Sequence, residues 1–177
     1  MTSLLRSSDL VPAELGEILP SIVTEVAERV FFAAAEPCDA TQFEALRATL
    51  SLDEGCETGP TGGWLSAQVQ FRGLVAGWLE VHLPESLAQD LCAAITGSAR
   101  SFSEPELLDG VGELGNILCG ALLTRAARER RFELLPPRVA RTAGRLSDAH
   151  ATGGWETVLP VRLNDYPALV KLTLHQS

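Results

Sequence analysis

The chain has 177 residues, of which 46% are hydrophobic and 21% charged, with a formal net charge of −9. This is ordinary composition for a folded globular domain with one sizeable core. The acidic balance argues against nucleic acid, because phosphate binding needs clustered Lys and Arg. The one basic run, 125–131, is interrupted by Glu129 and reads as a cationic helix end.

Cys38, Cys56, Cys92 and Cys119 form no Cys-x-x-Cys pair and have no His at ligand spacing. No metal site is expected on the chain. The thiols read as small apolar groups in a reducing, cytoplasmic setting. Residues 1–11 lack the apolar core of a secretory signal, and no run of about 18 apolar residues suggests a membrane span.

Residues 1–11 form a lead, and residues 12–177 are expected to form one domain. Pro12 suits a first helical turn, and Leu15, Ile18, Leu19, Ile22, Val23, Val26 and Val30 make a helical stripe to about Ala35. Phe43, Leu46, Leu50 and Leu52 fit either a short helix or a strand. The segment 54–63 is rich in Gly but lacks the ending of a phosphate-binding loop, so it reads as a surface turn. Residues 64–71 alternate as a strand, Arg72-Gly73 turns the chain, and 74–83 returns as a second strand.

Pro84 opens a helix whose Leu87, Leu91 and Ile95 are expected to face the core, and Gly97 closes it. Ser103 and Glu106 form a capping-box pattern ahead of a long helix to about Arg125. Beyond Pro136-Pro137, strands are expected at 138–146, 155–163 and 169–174. Pro160 marks an edge or a bulge. The order is helix, three strands, two helices, three strands, an α+β two-layer sandwich.

The helix from Pro105 to Arg125 carries an unusual face. Its apolar residues Leu107, Val111, Leu114, Leu118, Ala121 and Leu122 share one side. With Asn116 set at zero, Asp109 falls at about 20°, Glu113 at about 60°, Gly112 at about −40° and Gly120 at about 40°. Each glycine costs a helix interior about 0.5–1 kcal/mol relative to alanine. Asp109 and Glu113 are like charges one turn apart. The stripe is either a solvated face with glycines for helix packing, or a docking face from which Glu113 and Asn116 project into a partner.

Asp109-x3-Glu113-x2-Asn116 resembles the Asp/Ser-x3-Glu-x2-Asn signature of the CheC/CheX/FliY phosphatases of bacterial chemotaxis. The run from Gly112 to Gly120 resembles CheX in particular. Pro136 and Pro137 stand near the family's downstream proline, slightly early. The resemblance extends over about residues 63–137 and inclines 42–52 toward a strand late in that segment. It implies a CheX-like fold built of two related halves. Glu14-Leu-Gly-Glu-Ile-Leu19 matches Glu113-Leu-Gly-Asn-Ile-Leu118 at all but one position, either by chance or as a trace of such a repeat.

The substrate implied by the resemblance is a CheY-like response regulator carrying phospho-aspartate. Asn116 would orient the attacking water, Glu113 would pair with the receiver's lysine, and Asp109 would sit at the rim. Gly112 and Gly120 would keep the approach free of bulk. No cofactor is implied on this chain, because the divalent ion belongs to the receiver. The resemblance allows a homodimer, in which exposed final strands would pair across a two-fold axis. The alternative is a non-catalytic module that docks a response regulator in a signalling or motility complex.

Overall fold

The architecture is described from a computed structural model, over residues 12–53, 63–73, 75–126, 132–142 and 154–175. The expected lead at 1–11, most of the turn at 54–63, the end of the basic run and the end of the strand expected at 138–146 lie outside these residues.

Helix α1 (Pro12–Val30) buries Leu15, Leu19, Ile22, Val23 and Val26 of the expected stripe, with Ile18 and Val30 half-buried; it stops at Val30 rather than near Ala35, which belongs to a strand. Strand β1 (Ala35–Pro37) follows, then helix α2 (Ala40–Asp53). This helix corrects the inclination toward a strand. The decisive signal is a reciprocal cap: the Gln42 amide donates to Asp39 Oδ1 at 2.8 Å, and the Asp39 amide donates to Gln42 Oε1 at 3.0 Å. That Asp-x-x-Gln box satisfies two amides that a helix start leaves free.

Strands β2 (Trp64–Arg72) and β3 (Ala76–Pro84) form the expected hairpin, in register from Trp64↔Pro84 to Phe71↔Gly77. Leu65, Ala67, Val69, Leu79, Val81 and Leu83 face the core. Helix α3 (Glu85–Thr96) ends at Gly97 in the left-handed region, φ 64°. Leu87 and Leu91 are buried, but Ile95 is 48% exposed, because the last turn of α3 runs past the sheet and core. Helix α4 (Glu104–Ala126) buries Leu107, Val111, Leu114, Leu118 and Leu122.

Strands β4 (Glu133–Leu134), β5 (Arg138–Thr142), β6 (Trp155–Leu163) and β7 (Tyr166–His175) complete one antiparallel sheet. Its order is β1-β6-β7-β3-β2-β4, with β5 also on β2. Strand β6 lies between β1 and β7, so Pro160 is not on an edge strand; it sits just past the last β1 pair, Pro37↔Val161. Its carbonyl points away from β7 and accepts from the Cys38 amide, so its nitrogen faces the outer side, where β7 needs no donor.

The class is α+β. Helices α1, α3 and α4 cover one sheet face, while α2 covers part of the other through Phe43 against Trp64 and Leu169. The rest of that outer face is polar. Lys171, 4% exposed, lies across from Glu80 and pairs with Glu156 at 3.0 Å. Gln68 Nε2 donates to Glu80 Oε1 at 2.7 Å, and His82 Nε2 stands 3.8 Å from Glu80 Oε2. Burial pushes the Glu80 carboxyl up, but contacts with His82, Gln68 and Lys171 outweigh it and hold the carboxyl below its ordinary value.

The two halves are related. The sheet's centre lies between β7 and β3, which sets β6 against β2 and β1 against β5. Helix α1 lies on β6 as α4 lies on β2. A Cβ on Gly16 would stand 2.7 Å from Trp155 of β6, and one on Gly115 would stand 3.1 Å from Val69 of β2. The six-residue echo in sequence is therefore an echo in structure: equivalent glycines admit equivalent strands. Leu15 and Leu19 are as buried as Leu114 and Leu118.

Candidate functional site

The site is built on α4. Its start is well fixed: the Ser103 amide and hydroxyl both donate to Glu106 Oε2, at 2.8 and 2.7 Å. Arg100 forks onto the same carboxylate, at 2.5 and 3.2 Å. These bonds, the Arg100 guanidinium first, hold the Glu106 carboxyl at a pKa of about 2. Arg141 of β5 bonds Glu85 at 2.8 Å and Glu104 at 2.9 Å, tying the first turns of α3 and α4 to the sheet edge. Exposed pairs of this kind stabilise little, but they fix geometry.

With its apolar stripe committed to the sheet, α4 turns the opposite face outward. Asp109 and Glu113 are exposed and Asn116 is half-buried. No side-chain hydrogen bond or ion pair to another described residue engages any of the three. Glu113 and Asn116 stand one turn apart, so a carboxylate and a carboxamide rise together from one ridge. The carboxamide both donates and accepts, and it adds no charge.

The two flanks of the ridge differ. On one side Gly112 is buried, and a Cβ there would stand 3.1 Å from Val139 and 3.3 Å from Pro137. Gly112 therefore seats Pro137 and β5 against the helix, rather than opening the approach as its place in the stripe led us to expect. Pro137 itself is brought against the ridge, next to the turn that bears Glu113. On the other side Gly120 is open, with nothing within 4 Å of a Cβ placed there. It lies in a groove between α4 and α1, lined by Ile117 and Ala121 on one wall and Ile22, Val26 and Val30 on the other. Glu25 closes one end of the groove, bonded to Arg29 at 2.6 Å and to Arg125 across the helices. Neither this groove nor the seat of Pro137 is written in the spacing of α4, since each needs a segment distant in sequence.

Among the described residues no group of His, Cys, Asp and Glu side chains is placed to hold a metal. Cys38, Cys92 and Cys119 are free thiols; Cys119 is fully buried, and burial pushes it up to about 12. Helix α4 has the length expected and, with a mean hydropathy of 1.3, is apolar enough by composition to cross a membrane, although no uninterrupted apolar run marks it in the sequence. Half of that stretch is buried within the protein. The polar cluster around Lys171 lies on the other side of the sheet and cannot join the ridge.

A family model described as chemotaxis phosphatase CheX matches residues 65–156. A chemotaxis protein CheX from Vibrio vulnificus shares the fold at a TM-score of 0.70 and 16% identity, the match covering 96% of this chain and 100% of that one. CheX from Desulfovibrio desulfuricans gives 0.68 at 18% identity, over 92% and 99% of the two chains. A CheX–CheY–BeF3–Mg2+ complex from Borrelia burgdorferi matches at 0.50 and 18%, over 78% and 99%. No curated protein sequence matches this chain. The family match, spanning just over half the chain, and the fold agree: the protein is a CheX-like member of the CheC/CheX/FliY family.

Proposed function

We propose that the protein accelerates hydrolysis of phospho-aspartate on a CheY-like receiver domain. The observation that carries this reading is the pair Glu113 and Asn116, outward on one ridge and free of partners among the described residues. The receiver carries the phosphoryl group, its divalent ion and a lysine. The docking protein then has to supply position and charge rather than a nucleophile. Asn116 places its carboxamide beside the phosphoryl group and orients the attacking water. Glu113 pairs with the receiver's lysine and fixes the register. Asp109 lies at the rim, and Gly120 leaves room on the α1 side.

The charge logic favours an amide at 116. A carboxylate there would repel the phosphoryl oxygens, whereas an amide positions water without that penalty. The complex of CheX with CheY from Borrelia burgdorferi supports a CheY-like receiver as the partner class. The test is direct. Phosphorylated receiver is mixed with the protein and phosphate release is followed. Asn116→Ala, at a partly exposed position, is expected to keep the melting temperature and lose the acceleration. An unchanged rate refutes the catalytic role; binding without any acceleration by the unmodified protein identifies a non-catalytic docking module instead.

A further inference from the structure

Phe32 breaks two rules at once. It is 78% exposed, more than any other large hydrophobic residue described; Ile95 follows at 48%. Its backbone is left-handed, φ 53°. Among the described residues the other non-glycine residue with positive φ is Asn164, a type that tolerates the conformation. For an aromatic side chain that backbone costs about 1–2 kcal/mol. Phe32 ends α1 where glycine is the usual residue: the Ala33 amide reaches back past it to the Ala27 carbonyl at 3.0 Å.

The surroundings leave Phe32 no other place. Phe31 and Ala33, each 2% exposed, are anchored in the core on either side. The next residue is clamped to the β6–β7 turn: the Ala34 amide donates to Asn164 Oδ1 at 2.9 Å, and the Asn164 amide donates to the Ala34 carbonyl at 2.7 Å. The ring is thus held outward by a rigid frame. A strained backbone that presents an apolar ring to water, with no contact in return, points to function outside the chain.

Its position indicates which function. Val30, two residues before it, lines the groove with Ile117 and Gly120. Phe31 and Ala33, on either side of it, line one apolar cavity together with Leu114 and Leu118. Phe31 and Ala33 thus meet the buried side of α4 on the turns either side of Asn116, and Val30 meets its outer groove beside Gly120. Phe32, exposed between two core-anchored residues, is turned away from the core, as Glu113 is on α4.

We propose that Phe32 is a docking residue, an aromatic anchor that inserts into an apolar patch beside the phosphoryl pocket of the receiver domain. The proposal rests on the receiver reading above and extends the contact from α4 to the end of α1. Binding energy in protein interfaces concentrates in a few large side chains that fill a desolvated pocket on the partner.

The test measures binding rather than turnover. Receiver activated with BeF3− and Mg2+ is titrated calorimetrically into the unmodified protein and into Phe32→Gly, Phe32→Ala and Phe32→Tyr. Phe32→Gly is expected to melt higher, since glycine takes this backbone freely, yet to bind about tenfold more weakly. Phe32→Ala keeps the strain and is expected to bind as weakly as the glycine variant; Phe32→Tyr is expected to retain affinity. Equal affinity across the series overturns the anchor. So does a loss of self-association with unchanged receiver affinity, which assigns the ring to a second copy of this chain. Failure of the unmodified protein to bind any receiver overturns the receiver reading itself.

Discussion

Helices α1 and α4 carry the same six-residue plan on opposite halves of one sheet, and they differ where it matters for chemistry. Leu15 and Leu114 enter the core, as do Leu19 and Leu118. Gly16 and Gly115 let strands β6 and β2 approach. The outward positions have diverged. Helix α1 has the carboxylate of Glu17 where α4 has the carboxamide of Asn116. Where Gly120 lies open, α1 has Ser21, whose hydroxyl donates to its own helix at the Ile18 carbonyl, 2.8 Å away. Buried positions answer to the sheet, which is alike on both halves. Outward positions are free of that constraint, and only α4 sets a carboxamide beside a carboxylate there.

The comparison is broken most severely where a carboxylate on α1 corresponds to a carboxamide on α4. Asn116→Ala is expected to reduce receiver dephosphorylation by about 100-fold or more, the usual scale for losing one positioned polar group. Glu17→Ala, its counterpart, is expected to leave the rate unchanged; comparable losses in both would show that the halves share the work. Next comes packing. Gly115→Val forces a branched side chain against Val69 and Ala67, already 3.1 and 3.3 Å from a Cβ. A loss of about 2 kcal/mol in urea unfolding is expected.

Gly120→Ala sharpens the contrast between the two glycines. Its Cβ meets nothing, so the variant should gain about 1 kcal/mol of stability. A weakened receiver affinity in that more stable variant would locate the approach over Gly120. The smallest effect lies in the cap of α4. The Glu106 carboxyl is held at about 2 in the folded state, against 4.5 ordinarily. A depressed carboxyl contributes stability above its ordinary value and loses it as pH falls through the folded one. Glu106→Gln should therefore be slightly less stable than the parent at neutral pH, and the two thermal unfolding midpoints should converge between about pH 4.5 and 2.

Much of the framework was legible because it is local. Period two marks β2 and β3, period 3.6 marks α1 and α4, and Ser103 with Glu106 marks a helix start. Helix α2 is marked by Asp39 and Gln42, its reciprocal cap, whereas its short apolar run fits both periods. Ile95 obeys the helical period and is still exposed, since periodicity cannot tell where the neighbouring layer stops. Gly112 and Gly120 look alike on a helical wheel, yet one lies under Pro137 and the other is open to the groove.

The amino-acid order alone determined which side of α4 is apolar and that Asp109, Glu113 and Asn116 share the other side, because helical geometry is set within a few residues. Tertiary structure decided what flanks that side: Pro137 and β5 on one edge, the end of α1 on the other. Those flanks depend on which strand pairs with which across more than 80 residues of chain, from Phe32 to Asn116. Such pairing is settled by burying the whole core at once, and no local pattern contains it.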